Sequence, residues 1–193
     1  LHQDWMYVDE RRGGRTCVVW IALDDVTGDN GQLQVARGSH RVGSMVRGTD
    51  LVAPWIDEED VLRPRLLSVP LRLGQAVVMD NALVHCSYPN HSDRPRLAVG
   101  MGMRPTADPL VYFRREGDQA CRYDVEPSFF LRALPQELFA TPPDLPVAER
   151  VPVGDHALAA AELARRLDRG ALAKLDRVQR WWRRRGHEAT RSA

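Results

Sequence analysis

The chain has 193 residues, room for one domain with a sizeable core. Its 44% hydrophobic and 27% charged residues suit a globular protein, its net charge of +1 argues against coating nucleic acid, and no apolar run approaches a membrane span. Three cysteines, Cys17, Cys86 and Cys121, are an odd number at irregular spacing, so neither a disulfide framework nor a zinc motif is indicated, and a reducing, cytoplasmic setting is expected.

The chain opens Leu1-His2-Gln3-Asp4, without an initiator Met. In an extended strand, side chains two apart share a face, so His2 and Asp4 can aim an imidazole and a carboxylate at one point. Such a pair would fray at a free terminus, so an upstream segment is expected to be missing. Residues 15–23 are rich in β-branched and aromatic types and read as a buried strand. Asn30-Gly31 is a hairpin turn signal, and residues 32–35 alternate polar and apolar as the next strand. Residues 41–65 read as a long loop broken by Gly43, Gly48, Pro54 and Pro64, in which Met45 and Trp55 are candidates for a substrate lid.

Strand character returns at 66–71, 75–79, 84–87 and 96–103, and the segment 108–130 is mixed, with a short helix starting near Ser128. Many short strands between turn residues predict a sandwich or barrel. Residues 135–152 carry five prolines and read as an extended connector. Beyond it, Leu163, Leu167, Leu172, Leu175, Val178 and Trp182 recur at helical spacing. The division expected is therefore a β core over 1–134, a Pro-rich connector over 135–152 and a C-terminal helical extension over 153–193. The basic end from Arg180 to Arg185, with Trp181 and Trp182, reads as a solvated helix end rather than a surface for nucleic acid or anionic membrane.

One further histidine stands out. His85 in Asn81-Ala82-Leu83-Val84-His85, joined to His2 and Asp4, would make two imidazoles and one carboxylate on one face of a metal, a donor set suited to Fe(II) with positions left open. Without further context, His2 and Asp4 read equally as surface residues, His85 as a core histidine, and Arg96 as a strand residue paired to Asp93.

Taken together and in order, these pieces resemble the phytanoyl-CoA dioxygenase (PhyH) family of Fe(II)- and 2-oxoglutarate-dependent oxygenases. The resemblance covers roughly the first hundred residues. It rests on His2-Gln3-Asp4, on Val18-Val19-Trp20-Ile21-Ala22-Leu23 followed by Asn30-Gly31-Gln32-Leu33 and Gly38-Ser39-His40, and on His85 with Ser87 and Arg96 downstream. It implies a mainly β, double-stranded β-helix (jelly-roll) core lacking its early strands. It implies His2, Asp4 and His85 as Fe(II) ligands, with Arg96, Ser87 and Trp20 as contacts of the cosubstrate 2-oxoglutarate, and O2 as the other reactant. The implied reaction is hydroxylation of an unactivated C–H bond in a small organic molecule, with succinate and CO2 as products. Asp4 favours it, because related halogenases carry a small residue in place of the carboxylate. Two rival readings keep the barrel: a cupin-like metal-dependent enzyme that does not use 2-oxoglutarate, and a non-catalytic jelly-roll binding protein. His40, His91 and Cys86 are read as structural or solvated. Substrate identity and oligomeric state are not legible from the sequence.

Overall fold

The protein is described by a computed structural model that covers residues 1–42, 45–132, 135–140, 142–153 and 158–168. Among them run nine strands: β1 (Cys17–Ala22), β2 (Leu33–Ala36), β3 (Leu66–Val69), β4 (Ala76–Asp80), β5 (His85–Ser87), β6 (Ala98–Met103), β7 (Val111–Glu116), β8 (Gln119–Asp124) and β9 (Glu149–Pro152). Three short helices, α1 (Glu59–Leu62), α2 (Pro127–Arg132) and α3 (Pro135–Ala140), are joined by a further one over residues 160–168.

The strands pair antiparallel in three sheets, ordered β4-β1-β6, β3-β2-β5 and β7-β8-β9. The first six strands pass back and forth between two sheets, the strand exchange of a jelly roll. Val, Ile, Trp and Met supply β1, β4 and β6, residue types that suit a pleated, half-buried surface. Register sets Trp20 opposite Gly100 on one side and Val77 on the other, on the same face as Val18 and Met79. Val19, Val78 and Met101 align on the opposite face.

The expected hairpin at Asn30-Gly31 is corrected by this topology. β1 and β2 flank that turn yet lie in different sheets, because each has committed both edges to distant strands. Gly31 keeps a left-handed φ of +87°, but the turn steers the chain from one sheet to the other. A hairpin missed in the mixed segment joins β7 to β8 instead, through Gly117 at φ +64° with Glu116 paired to Gln119. Gly-Asp between two β-rich runs is the local signal for that turn.

The segment read as a connector also carries structure. α3 and β9 both fall within it, and β9 pairs with β8 from Gln119–Pro152 to Arg122–Glu149. Its prolines are compatible with this, since Pro is tolerated at a helix start and on an edge strand. The residues beyond it are not wholly an appendage either. The 160–168 helix sends Leu163 and Leu167, one turn apart, into a core cluster with Ala36, Val42, Trp55, Leu62 and Val84. Arg166 reinforces the contact by donating to the Val42 carbonyl at 2.6 Å. The helical pattern at 171–182 and the basic end lie outside the described residues. Among the described residues no helix is long and apolar enough to cross a membrane.

Leu163 is wholly buried in this cluster. Leu163→Ala should therefore cost about 2–5 kcal/mol of unfolding free energy in chemical denaturation. An unchanged midpoint would show that this helix contributes nothing to the core.

Candidate metal and cosubstrate site

The first residues of the chain extend the β3-β2-β5 sheet beyond β5. The His2 N–H donates to the His85 carbonyl at 3.0 Å, and the His85 N–H donates to the His2 carbonyl at 2.9 Å. This reciprocal pair makes the two histidines direct cross-strand partners, so their side chains emerge on one face. Their ring centroids lie 4.2 Å apart at an interplanar angle of 55°. Asp4, two residues along, donates its N–H to the Asn81 carbonyl at 3.0 Å and turns its carboxylate to the same side. Asp4 Oδ1 lies 3.8 Å from His85 Nε2. One donor atom from each of His2, Asp4 and His85 falls within 4.8 Å of the others.

The protonation pattern bears on what this cluster can hold. His85 Nδ1 sits 2.9 Å from the Leu83 carbonyl, an acceptor, so that nitrogen carries the proton. In the neutral ring Nε2 is then a lone pair facing a carboxylate. Two electron-rich atoms at that separation, with a second imidazole beside them, fit a cation at their centre. A backbone carbonyl that fixes the tautomer is a recurring support of metal-bound histidine. His85 is buried, Asp4 half-buried and His2 exposed at the rim. Loss of hydration, followed by the neighbouring His85 imidazole, pushes His2 below its usual 6.5, while Asp4 opposes the shift. Tyr7 lies near the same carboxylate, and its burial, together with Asp4, raises its phenol above the ordinary value.

Arg96 precedes β6 rather than lying in it, two residues before the strand begins at Ala98. Its guanidinium stacks over the Trp20 ring, 4.8 Å from the centroid. A methyl on Gly31 would meet the Tyr88 carbonyl at 3.4 Å and Arg96 Nε at 3.7 Å, so Arg96 passes beside the end of β5. The Asp93 pairing considered from sequence goes to Arg94, at 3.9 Å. Among the described residues Arg96 has no carboxylate partner. Ser87, opposite Leu33, is exposed at the end of β5 and shares its face with His85. Cys86 points the other way, its thiol 3.6 Å from Gln34 Oε1.

Several side chains hold the site in roles that the sequence did not show. The Gln3 side chain donates to the Ala82 carbonyl and accepts from Trp55 Nε1 at 3.2 Å. Trp55 is 1% exposed, which corrects its reading as a lid: it is a core side chain clamping the residue between His2 and Asp4. Ser39, wholly buried, accepts the Val84 N–H at 2.7 Å and so fixes the residue before His85. The signal for Ser39 was the Gly38-Ser39-His40 turn that follows β2 and forms part of the family resemblance. Gln3 and Trp55 had none.

The depressed His2 pKa has a consequence for stability. Between that value and 6.5 the unfolded chain holds the proton and the folded chain does not, so stability is present above 6.5 and declines as pH falls through the window. An NMR titration should place the His2 midpoint below 6.5, moving toward it in His85→Ala. A midpoint at or above 6.5 in the unaltered protein would contradict the crowding described here.

The family model for phytanoyl-CoA dioxygenase (PhyH) matches residues 1–98. Phytanoyl-CoA dioxygenase domain-containing protein 1 from Danio rerio is 34% identical over 102 residues, which are 49% of this chain and 35% of that protein. The Mus musculus protein of the same name is 32% identical over 113 residues, 55% of this chain and 39% of its own length. The chain thus spans little more than a third of these curated relatives. Among solved structures, AviO1 from Streptomyces viridochromogenes Tue57 is 28% identical, covering 56% of this chain and 43% of that one with a TM-score of 0.41. With half its length matched, from the His2-Gln3-Asp4 segment through Arg96, this chain belongs to the phytanoyl-CoA dioxygenase family.

Proposed function

We propose that this chain carries the iron and cosubstrate site of an Fe(II)- and 2-oxoglutarate-dependent dioxygenase that hydroxylates an unactivated C–H bond of a small organic molecule. The observation that carries this reading is the convergence of two imidazoles and one carboxylate, with His85 Nε2 left free by the Leu83 hydrogen bond. His2, Asp4 and His85 are the residues that would hold the iron. When bound, Fe(II) with 2-oxoglutarate and O2 supplies the oxidising power for the C–H bond, and the cosubstrate leaves as succinate and CO2.

The remaining work belongs to the chain's own side chains. Arg96 receives the distal carboxylate of the keto-diacid, a task for a planar cation that does not lose its proton. Its stack on Trp20 limits the orientations open to the guanidinium, so less freedom is lost on binding. Ser87 offers a hydroxyl to the same carboxylate from the face that bears His85. Neutral imidazoles are required for metal binding, and the lowered His2 pKa keeps that ring deprotonated to lower pH. Asp4 retains a protein carboxylate where a small residue would leave room for a halide, which favours hydroxylation.

Anaerobic addition of Fe(II) and 2-oxoglutarate to the intact protein should produce the weak visible charge-transfer band of the chelate, absent in His85→Ala. No band in the unaltered protein would sink the proposal. Arg96→Ala should raise the KM for 2-oxoglutarate by about 10–100-fold, the equivalent of a hydrogen bond to a charged group at about 1.5–3 kcal/mol. Turnover unaffected by Arg96→Ala would instead favour a metal-dependent enzyme that does not use this cosubstrate. Succinate release across a panel of metabolites scores cosubstrate and substrate together.

A further inference from the structure

We propose that Arg47 is a positioning residue for Asp4, acting through the backbone of the proposed carboxylate ligand; this inference rests on the metal-site reading above. Arg47 is 7% exposed, in a loop that the sequence marks only as irregular. Its Nε donates to the Asp4 carbonyl at 2.8 Å. The two terminal nitrogens are spent elsewhere, on Glu10 Oε2 at 3.1 Å and Oε1 at 2.5 Å, and Nη1 also reaches the Met45 carbonyl at 3.4 Å. Glu10 is itself 4% exposed, and the more distant Arg15 guanidinium lies 3.8 Å from it. The Met6 N–H donates to the Arg47 carbonyl at 3.2 Å, so the same residue grips the chain on both sides of Trp5.

The geometry assigns distinct tasks to the two ends of the fork. Pairing with Glu10 neutralises the buried cation and fixes the guanidinium plane. With the plane fixed, Nε–H has one direction, and the Asp4 carbonyl lies along it. Asp4 is thereby held on its N–H side by Asn81 and on its carbonyl side by Arg47. A carboxylate ligand gains from such anchoring, because two backbone bonds remove much of the torsional freedom that would let it swing away. Lysine does not reproduce this arrangement, since its three N–H donors radiate from one nitrogen and it has no separate Nε–H to reach the Asp4 carbonyl while a planar fork holds Glu10.

The test uses Co(II), which reports coordination through its visible spectrum, on the intact protein. In the double variant Glu10→Leu with Arg47→Met, both charges leave together, and replacing a buried ion pair by apolar residues of similar volume is often neutral for folding. Arg47→Lys keeps the charge and serves as the second variant. Both should bind Co(II) about 10–100-fold more weakly, as for other residues that support metal ligands, with an altered Co(II) spectrum. A purely architectural role would move the unfolding midpoint and leave the spectrum of the folded protein as it was. Unchanged affinity and spectrum in either folded variant overturn the role of Arg47 while the metal site stands. Absence of Co(II) binding in the unaltered protein overturns the metal site, and this inference with it.

Discussion

Two backbone hydrogen bonds between His2 and His85 determine the rest of the site. Each contributes only about 0.5–1.5 kcal/mol net, so their importance lies in register rather than energy. They make the first residues of the chain a neighbour of β5, and they place two imidazoles from opposite ends of the family-matched region side by side. A slip of one residue would turn His2 and Asp4 to the other face of the sheet and put Gln3 beside His85. The donor cluster exists in one register only.

That register is guarded from the opposite face. Gln3, pointing away from the donors, is caught between Trp55 Nε1 and the Ala82 carbonyl. Trp55 is in turn packed with Leu163 and Leu167, so the 160–168 helix supports the segment bearing His2 and Asp4 at second hand. Ser39 fixes the residue before His85, and the Leu83 carbonyl fixes its ring. Donor side chains, clamps and core are thus consecutive layers of one packed unit. Polar groups buried in that unit, such as Ser39 and Arg47, are kept because their hydrogen bonds are satisfied there.

The electrostatics of the candidate site divide the tasks further. His85 and Asp4 supply electron pairs at its inner end, and Arg96 supplies a fixed positive charge near the end of β5. Trp20 contributes an aromatic surface that orients the guanidinium and shields one of its faces from water.

The local chemistry was legible without coordinates. A period of two placed His2 with Asp4 and His85 with Ser87, and runs of β-branched residues located β1 to β6 within a residue or two. What the sequence could not determine was which strand neighbours which. Asn30-Gly31 has the composition of a hairpin turn, yet β1 and β2 part company because their long-range partners win. Prolines suggested an extended connector where β9 closes a sheet, and irregular composition hid Arg47 and the core role of Trp55, whose partners lie far off in the chain. By itself, then, the sequence determined residue types, face and strand positions, since these follow from the alternation of neighbouring side chains. Only the tertiary structure decided sheet pairing and the buried clamps, because each depends on groups that the chain brings together from a distance.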